Sequence, residues 1–353
     1  MSPPQPTLVS IARAFPKKRI LVIGDLVADH YIFGETDRIS REAPVLIVRY
    51  ERSEVKLGGG ANAAANVRSL GGQVTVVGAL GRDEMGRRMR RLFGEVGISV
   101  RAASGAGVET ETKTRIYAGG VNTKRQQMLR LDRGARTQLP QRVRAALARE
   151  VARAARDADA VLVSDYGAGV VGDEVRGVLK GLSRDGLPVC VDSRYALREF
   201  VGFGVCKPNE PELEQLLGIP VRTEADLLRA GAEARRRLEC GALVVTRGRS
   251  GMAVFTAEGA RLIAAHGDAE AVDVTGAGDT VIAALTLSLA AGADVERAAR
   301  IANVAGALVV QKPGTATVAH AELISELVGH ATIAPMERAA RRARPLRRKT
   351  PGH

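Results

Sequence analysis

The stretch Asp273-Val-Thr-Gly-Ala-Gly-Asp-Thr280 is followed at once by Val281-Ile-Ala-Ala-Leu285, and small and apolar residues continue to about Ala291. A glycine-rich turn therefore feeds directly into a helix, with Asp279 in its first turn. The first N–H groups of a helix have no intrahelical acceptor, and the helix dipole adds positive potential there. Gly276, Ala277 and Gly278 thus offer a cradle for phosphate. A carboxylate beside such a cradle repels the phosphate, so Asp279 needs a reason to be there. A bare Gly-x-Gly-Asp is also what many ordinary helix starts look like. The chemical reason is a general base that takes the proton from a hydroxyl attacking a γ-phosphorus.

The rest of the chain supplies the frame. Arg19-Ile-Leu-Val-Ile-Gly24-Asp25 is a short apolar run that reads as a first buried strand. Val74 to Leu80 reads as the next, and Glu84 to Val96 as a helix. From about residue 138, helical stretches near 140–156, 172–185, 223–239, 278–292 and 294–311 alternate with apolar strands at 160–165, 187–191 and 242–246. Such alternation predicts an α/β fold, with a mostly parallel sheet covered by helices on both faces. Two segments depart from it. Residues 31–57 carry short apolar runs broken by Gly34, Pro44 and charges, which predicts two or three strands with a polar face. Within 108–132, residues 110–117 alternate and 126–132 forms a second candidate strand. The expected layout is a single domain over 15–330 with a small β-sheet inserted from these two places, acting as a lid that excludes water. Residues 1–14 are left as an N-terminal extension and 331–353 as a basic tail.

Composition narrows the classes. Hydrophobic residues make up 45% of 353, ample for a core, but aromatics are only 3% and Trp is absent, so Ala, Val, Leu and Ile must fill it. There is no run of ~18 apolar residues to span a membrane, and the Met-Ser-Pro-Pro-Gln-Pro start lacks a signal-peptide layout. Cys190, Cys206 and Cys240 lack CxxC spacing and read as reduced core residues. The expectation is a cytoplasmic protein with no membrane partner. The net charge of +13 is concentrated at one end. Arg338, Arg341, Arg342, Arg344, Arg347, Arg348 and Lys349, less Glu337, give +6 there, leaving 13 − 6 = +7 on the rest. The tail is expected to be disordered and solvated. It has no interleaved aromatics for base stacking, which argues against nucleic acid as a partner.

Several chemistries lack their motifs. There is no Gly-x-x-x-x-Gly-Lys-[Ser/Thr] phosphate loop, no protein-kinase signature and no zinc-hydrolase spacing, and the five histidines are scattered. A second candidate site is Gly58-Gly59-Gly60-Ala61-Asn62, where glycines permit close backbone approach. Asn62 and Asn66 share a helix face and could bind sugar hydroxyls. Asp25, at the C-terminal end of the first strand, sits where open α/β sheets bind ligands. Lys207-Pro-Asn209-Glu-Pro-Glu212 follows a strand and starts a helix; its Asn-x-x-Glu spacing also fits a capping box.

Taken whole, Asp273–Thr280 resembles the signature of the ribokinase-like (PfkB) sugar kinases, and the resemblance runs over roughly residues 15–330. It implies an αβα sandwich, ATP as phosphoryl donor, Mg²⁺, and Asp279 as base over the Gly276–Gly278 anion hole. It also implies that Asn209 and Glu212 order water around Mg²⁺, and that Thr246, Gly248, Thr275 and Gly278 lie near the nucleotide phosphates. Asn303 would lie near the adenine, and a monovalent cation near Asp273 and Thr275. Gly24-Asp-Leu-Val-Ala-Asp-His-Tyr31, Arg38-Ile-Ser-Arg-Glu-Ala-Pro-Val45, Gln127-Met-Leu-Arg-Leu-Asp132 and Ser164-Asp-Tyr-Gly167 look closest to the heptose-7-phosphate kinase branch. That branch implies transfer to O1 of D-glycero-β-D-manno-heptose 7-phosphate. Asp25, Gly59, Gly60, Asn62, Asn66 and Asp165 are then the expected sugar contacts. Lys113, Arg115 and Arg130 are the expected cations for the substrate phosphate. Two lysines usual in the branch are replaced, by Ala168 and Arg194, and no nucleotidyltransferase motif His-x-Gly-His is present. Fructose, ribose, sugar-phosphate or nucleoside kinases of the same family remain open alternatives, as does a non-enzymatic sugar sensor. Lid sheets in this family often pair, so a homodimer is a candidate partner state.

Overall fold

A computed structural model describes residues 6–120, 125–134, 139–267 and 269–329. The expected basic tail, 331–353, and residues 121–124 of the expected lid segment lie outside these. In chain order the strands are β1 (Arg19–Gly24), β2 (Leu26–Ile39), β3 (Leu46–Gly59), β4 (Gln73–Ala79), β5 (Ser99–Ala103), β6 (Thr112–Gly119), β7 (Gln126–Arg133), β8 (Ala160–Asp165), β9 (Val189–Ser193), β10 (Val205–Cys206), β11 (Ala242–Thr246), β12 (Met252–Thr256) and β13 (Gly259–Ile263). The helices are α1 (Leu8–Arg13), α2 (Gly60–Ser69), α3 (Glu84–Glu95), α4 (Gln141–Ala154), α5 (Asp173–Arg184), α6 (Glu210–Leu217), α7 (Glu224–Leu238), α8 (Ala277–Ala290) and α9 (Val295–Val309). Residues 320–329 form a further helical segment.

Nine strands make one sheet in the order β13-β12-β11-β10-β9-β8-β1-β4-β5, parallel except for the antiparallel β11-β12-β13 edge. Strand β1 shows why an unbroken apolar run was needed. Ile20 and Val22 enter the core on one face, and Leu21 and Ile23 the core on the other. Full burial of such side chains is worth about 1.5–3 kcal/mol each. Helix α8 is apolar on all sides and is buried from Asp279 to Ser288. Its Thr286 and Ser288 hydroxyls satisfy themselves by donating to the carbonyls four residues back, at 2.7 Å each.

The strand order also locates the functional end. From β1 the chain moves outward one way to β4 and β5, then returns to β8 on the other side of β1 and proceeds to β9, β10 and β11. The order reverses at β1 and β8, and ligands of open α/β sheets bind beyond the carboxyl ends of strands at such a switch point.

A second sheet has four strands in the order β3-β2-β6-β7. The expected two or three strands over 31–57 are two, each 14 residues long. They extend past the predicted range at both ends, because β2 starts at Leu26 and only Asp25 separates it from β1. Helix α2 starts at Gly60, because Gly58 and Gly59 still pair with Val27 and Leu26 in the second sheet. Short elements with weak signals, α1, β5 and the β12–β13 hairpin, were not predicted from the sequence, while the strand expected before Lys207 is β10.

Candidate active site

Asp279 lies at the switch point, 4% exposed. The sequence placed it in the first turn of α8; the fold gives it two partners. The Asn62 amide donates to one carboxylate oxygen at 2.7 Å, and the Tyr166 hydroxyl donates to the other at 3.2 Å. Burial first, then the neighbouring Asp192 charge, push its pKa up to about 7, against the pull of Asn62, Tyr166 and Lys207. A carboxyl group poised near neutrality suits a general base.

Asn62 and Asn66 share a helix face as expected, but that face turns inward, because α2 packs on α8. The Thr280 hydroxyl donates to the Asn66 side-chain oxygen at 2.7 Å, and the Asn66 amide donates to the Asn62 carbonyl at 3.0 Å. Asn66 is fully buried. Its place is behind Asn62, as support for the hydrogen bond to Asp279, and not at a sugar-binding surface.

The glycine loop is held open in the left-handed region, with Gly276 at φ 79°. A Cβ there would also sit 2.7 Å from the Asn62 amide nitrogen. The Ala277 amide closes on the Val274 carbonyl at 3.2 Å. Beside the loop lies a buried ion pair that sequence reasoning missed. Lys207 Nζ is 2.9 Å from Asp192 Oδ2, and both atoms lie 3.8 Å from where a Gly278 Cβ would be. Burial opposes the Lys207 charge, but Asp192 and then Glu212 override it and raise its pKa. A fixed cation thus stands next to the phosphate cradle. Asp192 and Lys207 end neighbouring strands, a proximity that only the β9–β10 pairing reveals.

Asp25 behaves differently from expectation. It is 1% exposed, and its carboxylate accepts backbone N–H bonds from Tyr166 at 2.7 Å, Ala168 at 3.0 Å and Val170 at 3.2 Å. Burial, and then Asp165, raise its pKa to about 6. Both its oxygens are engaged in shaping the 166–170 loop, which leaves them poorly placed for sugar hydroxyls. Asp165 is similarly occupied, accepting from the Ser193 hydroxyl at 2.6 Å and the Gly167 amide at 3.0 Å. Four residues on from Asp25, Asp29 of β2 is paired with the lid cation Arg115 at 2.6 Å. The glycines 58–60 have a structural reason of their own. A Cβ on Gly58 would reach 2.3 Å from Asp29 Oδ2, and one on Gly59, at φ 56°, 2.7 Å from the Asp25 carbonyl. The two chain crossings into the lid pass too closely for side chains.

Lys113 and Arg115 project from one face of β6, and Arg130 stands opposite Arg115 on β7. Each already has company. Arg115 pairs with Asp29 at 2.6 Å, with both side chains largely buried. Arg130 is bidentate to Asp132 at 2.7 and 2.6 Å. Lys113 Nζ lies 5.2 Å from the centre of the Tyr166 ring. Burial lowers the Lys113 pKa; Asp29 opposes this, and Arg130 and Arg194 add to the lowering. The same face carries a stacked trio, Tyr31, Phe33 and Tyr117, with centroids 5.8–6.4 Å apart.

The remaining expected residues hold local contacts of their own. Asn209 and Glu212 form a reciprocal capping box at 2.9 and 2.8 Å. The Thr246 amide donates to the Pro208 carbonyl at 3.0 Å, and Gly248 takes φ 51°. Asp273 accepts from the Thr275 and Gly314 amides at 2.9 and 2.8 Å, joining two loops. The Asn303 amide donates to the Ala264 carbonyl at 2.7 Å.

A family model described as pfkB family carbohydrate kinase matches residues 17–322. The chain belongs to this family. Two curated relatives are similar to the kinase throughout. The D-beta-D-heptose 7-phosphate kinase of Bordetella bronchiseptica is 40% identical over 324 residues, covering 89% of this chain and 98% of that protein. The bifunctional protein HldE of Halorhodospira halophila is 40% identical over 332 residues, covering 93% of this chain but 66% of that protein. The chain thus spans just under two thirds of the bifunctional relative. Among solved structures, phosphofructokinase-2 from Escherichia coli, in complex with substrates and products, superposes with a TM-score of 0.72 at 19% identity, covering 89% and 99% of the two chains. The kinase therefore shares the ribokinase-like architecture, a large mostly parallel sheet with a small second sheet. Among the described residues no helix is long and apolar enough to cross a membrane.

The two replaced lysines can now be placed. Ala168 needs only its amide, which holds Asp25. Arg194 follows β9, where its amide donates to the Asp165 carbonyl at 3.0 Å and its charge is felt at Lys113 and Asp192. Arg194 thus keeps a cation at its own position, while position 168 carries none.

Proposed function

We propose that the kinase transfers the γ-phosphoryl group of ATP to O1 of D-glycero-β-D-manno-heptose 7-phosphate, giving the 1,7-bisphosphate and ADP. The observation that carries the reading is Asp279, held by Asn62 and Tyr166 beside a glycine cradle and facing a cationic lid. The likeness to a heptose 7-phosphate kinase along almost its whole length supports the substrate. Lys113 and Arg115, with Arg130 and Arg194 nearby, give a phosphorylated sugar a reason to be preferred.

In this mechanism Asp279 accepts the O1–H proton as O1 attacks the γ-phosphorus. Amides of the Gly276–Gly278 turn, with Lys207 beside them, stabilise charge on the transferring group. Asn62 keeps the base aimed, and Asn66 and Thr280 keep Asn62 aimed. The carboxylates of Asp192 and Glu212 are close enough that Asp192 raises the pKa of Glu212, after burial. With Asn209 they are hard oxygen donors that fit Mg²⁺ held through water. The ion, when bound, neutralises phosphate charge. Asp273 and Thr275, at the joined loops, are the proposed monovalent-cation residues. Thr246 and Gly248 are assigned to the nucleotide phosphates, and Asn303 to the adenine side.

We also infer a homodimer through the lid. Leu129 and Leu131 alternate with Arg130 on β7, so they face away from the cationic side, and they are 57% and 56% exposed. A second copy would cover these two leucines; Ile39 and Leu46, paired at the far end of the β2–β3 hairpin, are also exposed.

The test of the activity is ADP release with Mg-ATP over heptose 7-phosphate, sedoheptulose 7-phosphate, fructose, fructose 6-phosphate, ribose and adenosine. A clear preference for heptose 7-phosphate that falls with Lys113→Ala supports the reading. Preference for an unphosphorylated sugar would discard it.

A further inference from the structure

We propose that Tyr166 is a positioning residue that ties the lid to the catalytic base: its hydroxyl holds Asp279 while its ring carries Lys113 of the lid strand. The inference rests on Asp279 being the base, and it concerns a residue to which the proposed chemistry gives no proton-transfer role.

Three contacts converge on this one side chain. Its backbone amide is pinned by Asp25 at 2.7 Å, which fixes where the loop after β8 turns. Its hydroxyl reaches Asp279 Oδ1 at 3.2 Å. The face of its ring meets Lys113 Nζ at 5.2 Å, inside the range for a cation–π contact. No other residue in the described chain makes recorded contacts to both Asp279 and a lid cation. The hydroxyl is a donor under all working conditions, because the Asp279 charge and then burial drive its own pKa well above 10.

A donor on one carboxylate oxygen stabilises the ionised form. Together with the Asn62 bond to the other oxygen it fixes the plane of the carboxylate, and each oxygen keeps a lone pair for a substrate hydroxyl. The charged and titratable groups facing Asp279 are Asp192 at the end of β9 and Lys207 beside β10; Asn62 from α2 and Tyr166 from the β8 loop are its hydrogen-bonding neighbours. Of these, Tyr166 alone also touches the lid. Seating of the lid cations and ionisation of the base are thereby linked through a single ring. A purely structural tyrosine would fill space here without affecting how Asp279 titrates.

The experiment compares the full chain with Tyr166→Phe and Tyr166→Leu. The carboxyl of Asp279 is titrated directly by ¹³C NMR on aspartate-labelled protein, its signal assigned by its loss in Asp279→Asn, so the readout needs no substrate. Tyr166→Phe keeps the ring and should raise the Asp279 midpoint by about half to one pH unit, on the scale of one long hydrogen bond to a charge. The acidic limb of the kcat/KM profile should move with it, while KM for heptose 7-phosphate stays within about twofold. Tyr166→Leu should shift the midpoint equally and also raise that KM by about fivefold or more, since the Lys113 contact goes too. Thermal melting verifies that both variants fold. A Tyr166→Phe midpoint equal to wild type, with Asp279→Asn inactive, overturns the inference and leaves the proposed function standing. An active Asp279→Asn overturns both.

Discussion

Replacing Asp279 by Asn should make the kinase more stable above neutral pH while disabling it. Burial raises the Asp279 pKa from 3.8 to about 7, a change of about three units. At about 1.36 kcal/mol per unit, the folded state holds this proton with a preference of roughly 4 kcal/mol at most. The sign follows from linkage. The folded chain binds the proton more tightly than the unfolded chain, so stability falls as pH rises through 4 to 7, and the full cost is felt above about 7. Asn cannot ionise, so that cost disappears. Part of the gain is lost because the new amide can accept from Asn62 but presents only one oxygen, while Tyr166 must find another arrangement. We expect a net stabilisation of about 1–3 kcal/mol at pH 8.5, shrinking toward zero near pH 5. The assay is urea unfolding of both proteins at the two pH values. The other raised carboxyls, Asp25 near 6 and Asp192 and Glu212, are common to both proteins and largely cancel. Turnover should drop by roughly 10²–10⁴-fold, on the scale of general-base loss. A variant that is less stable than wild type at pH 8.5, or equally displaced at both pH values, would refute the reasoning that a buried, strained charge sits at this position.

Other outcomes can be checked on the same footing. Gly276→Ala meets both a φ of 79° and an Asn62 nitrogen 2.7 Å from the new Cβ, so it should cost about 1–3 kcal/mol in unfolding experiments and cut kcat more than it changes the KM for ATP. Arg115→Ala strips the partner from the nearly buried Asp29, and a loss of about 2–4 kcal/mol by denaturant titration is expected; a neutral result would mean that Asp29 is already hydrated. Leu129→Lys with Leu131→Lys should convert a dimer to a monomer by light scattering without changing the melting temperature of the core. An unchanged mass would remove the lid face as an interface.

Much of the fold was legible because a parallel strand buried on both faces leaves an unbroken apolar run, as Ile20 to Ile23 do. The lid was legible only as a departure from that pattern. Its strands bury one face against ions and aromatics, so their alternation mixes Lys113 and Arg115 with Thr112 and Thr114 and blurs their ends. The hairpin from Met252 to Ile263 escaped notice because its two short strands sit at the sheet edge without a long apolar run. At the site, Asp279 and its glycines were readable since turn, anion hole and base are contiguous. Asp192 and Lys207 were not assigned together, because residues fifteen apart become partners only through strand pairing. That backbone amides occupy Asp25, read as a sugar contact, was hidden for a related reason. Which carboxylate is consumed by backbone amides depends on where the loop after β8 lands, and that information is carried by a segment some 140 residues away.

The β2–β3 hairpin of the lid joins the core at a single place. Strand β1 passes into β2 across Asp25, and β3 passes into α2 at Gly59 and Gly60, where the Gly60 amide binds the Asp25 carbonyl at 2.9 Å. Strands β2 and β3 have 14 residues each, so at about 3.3 Å per residue the hairpin reaches some 45 Å beyond that joint. It is a long lever on a narrow pivot: a turn of about 10° at Asp25 carries the far end through roughly 8 Å. The pivot residues are next to Asn62, which aims the base. A torque applied at the sugar-binding face is thus delivered to the group that must be aligned for reaction, and small disturbances at the pivot should be magnified at the tip.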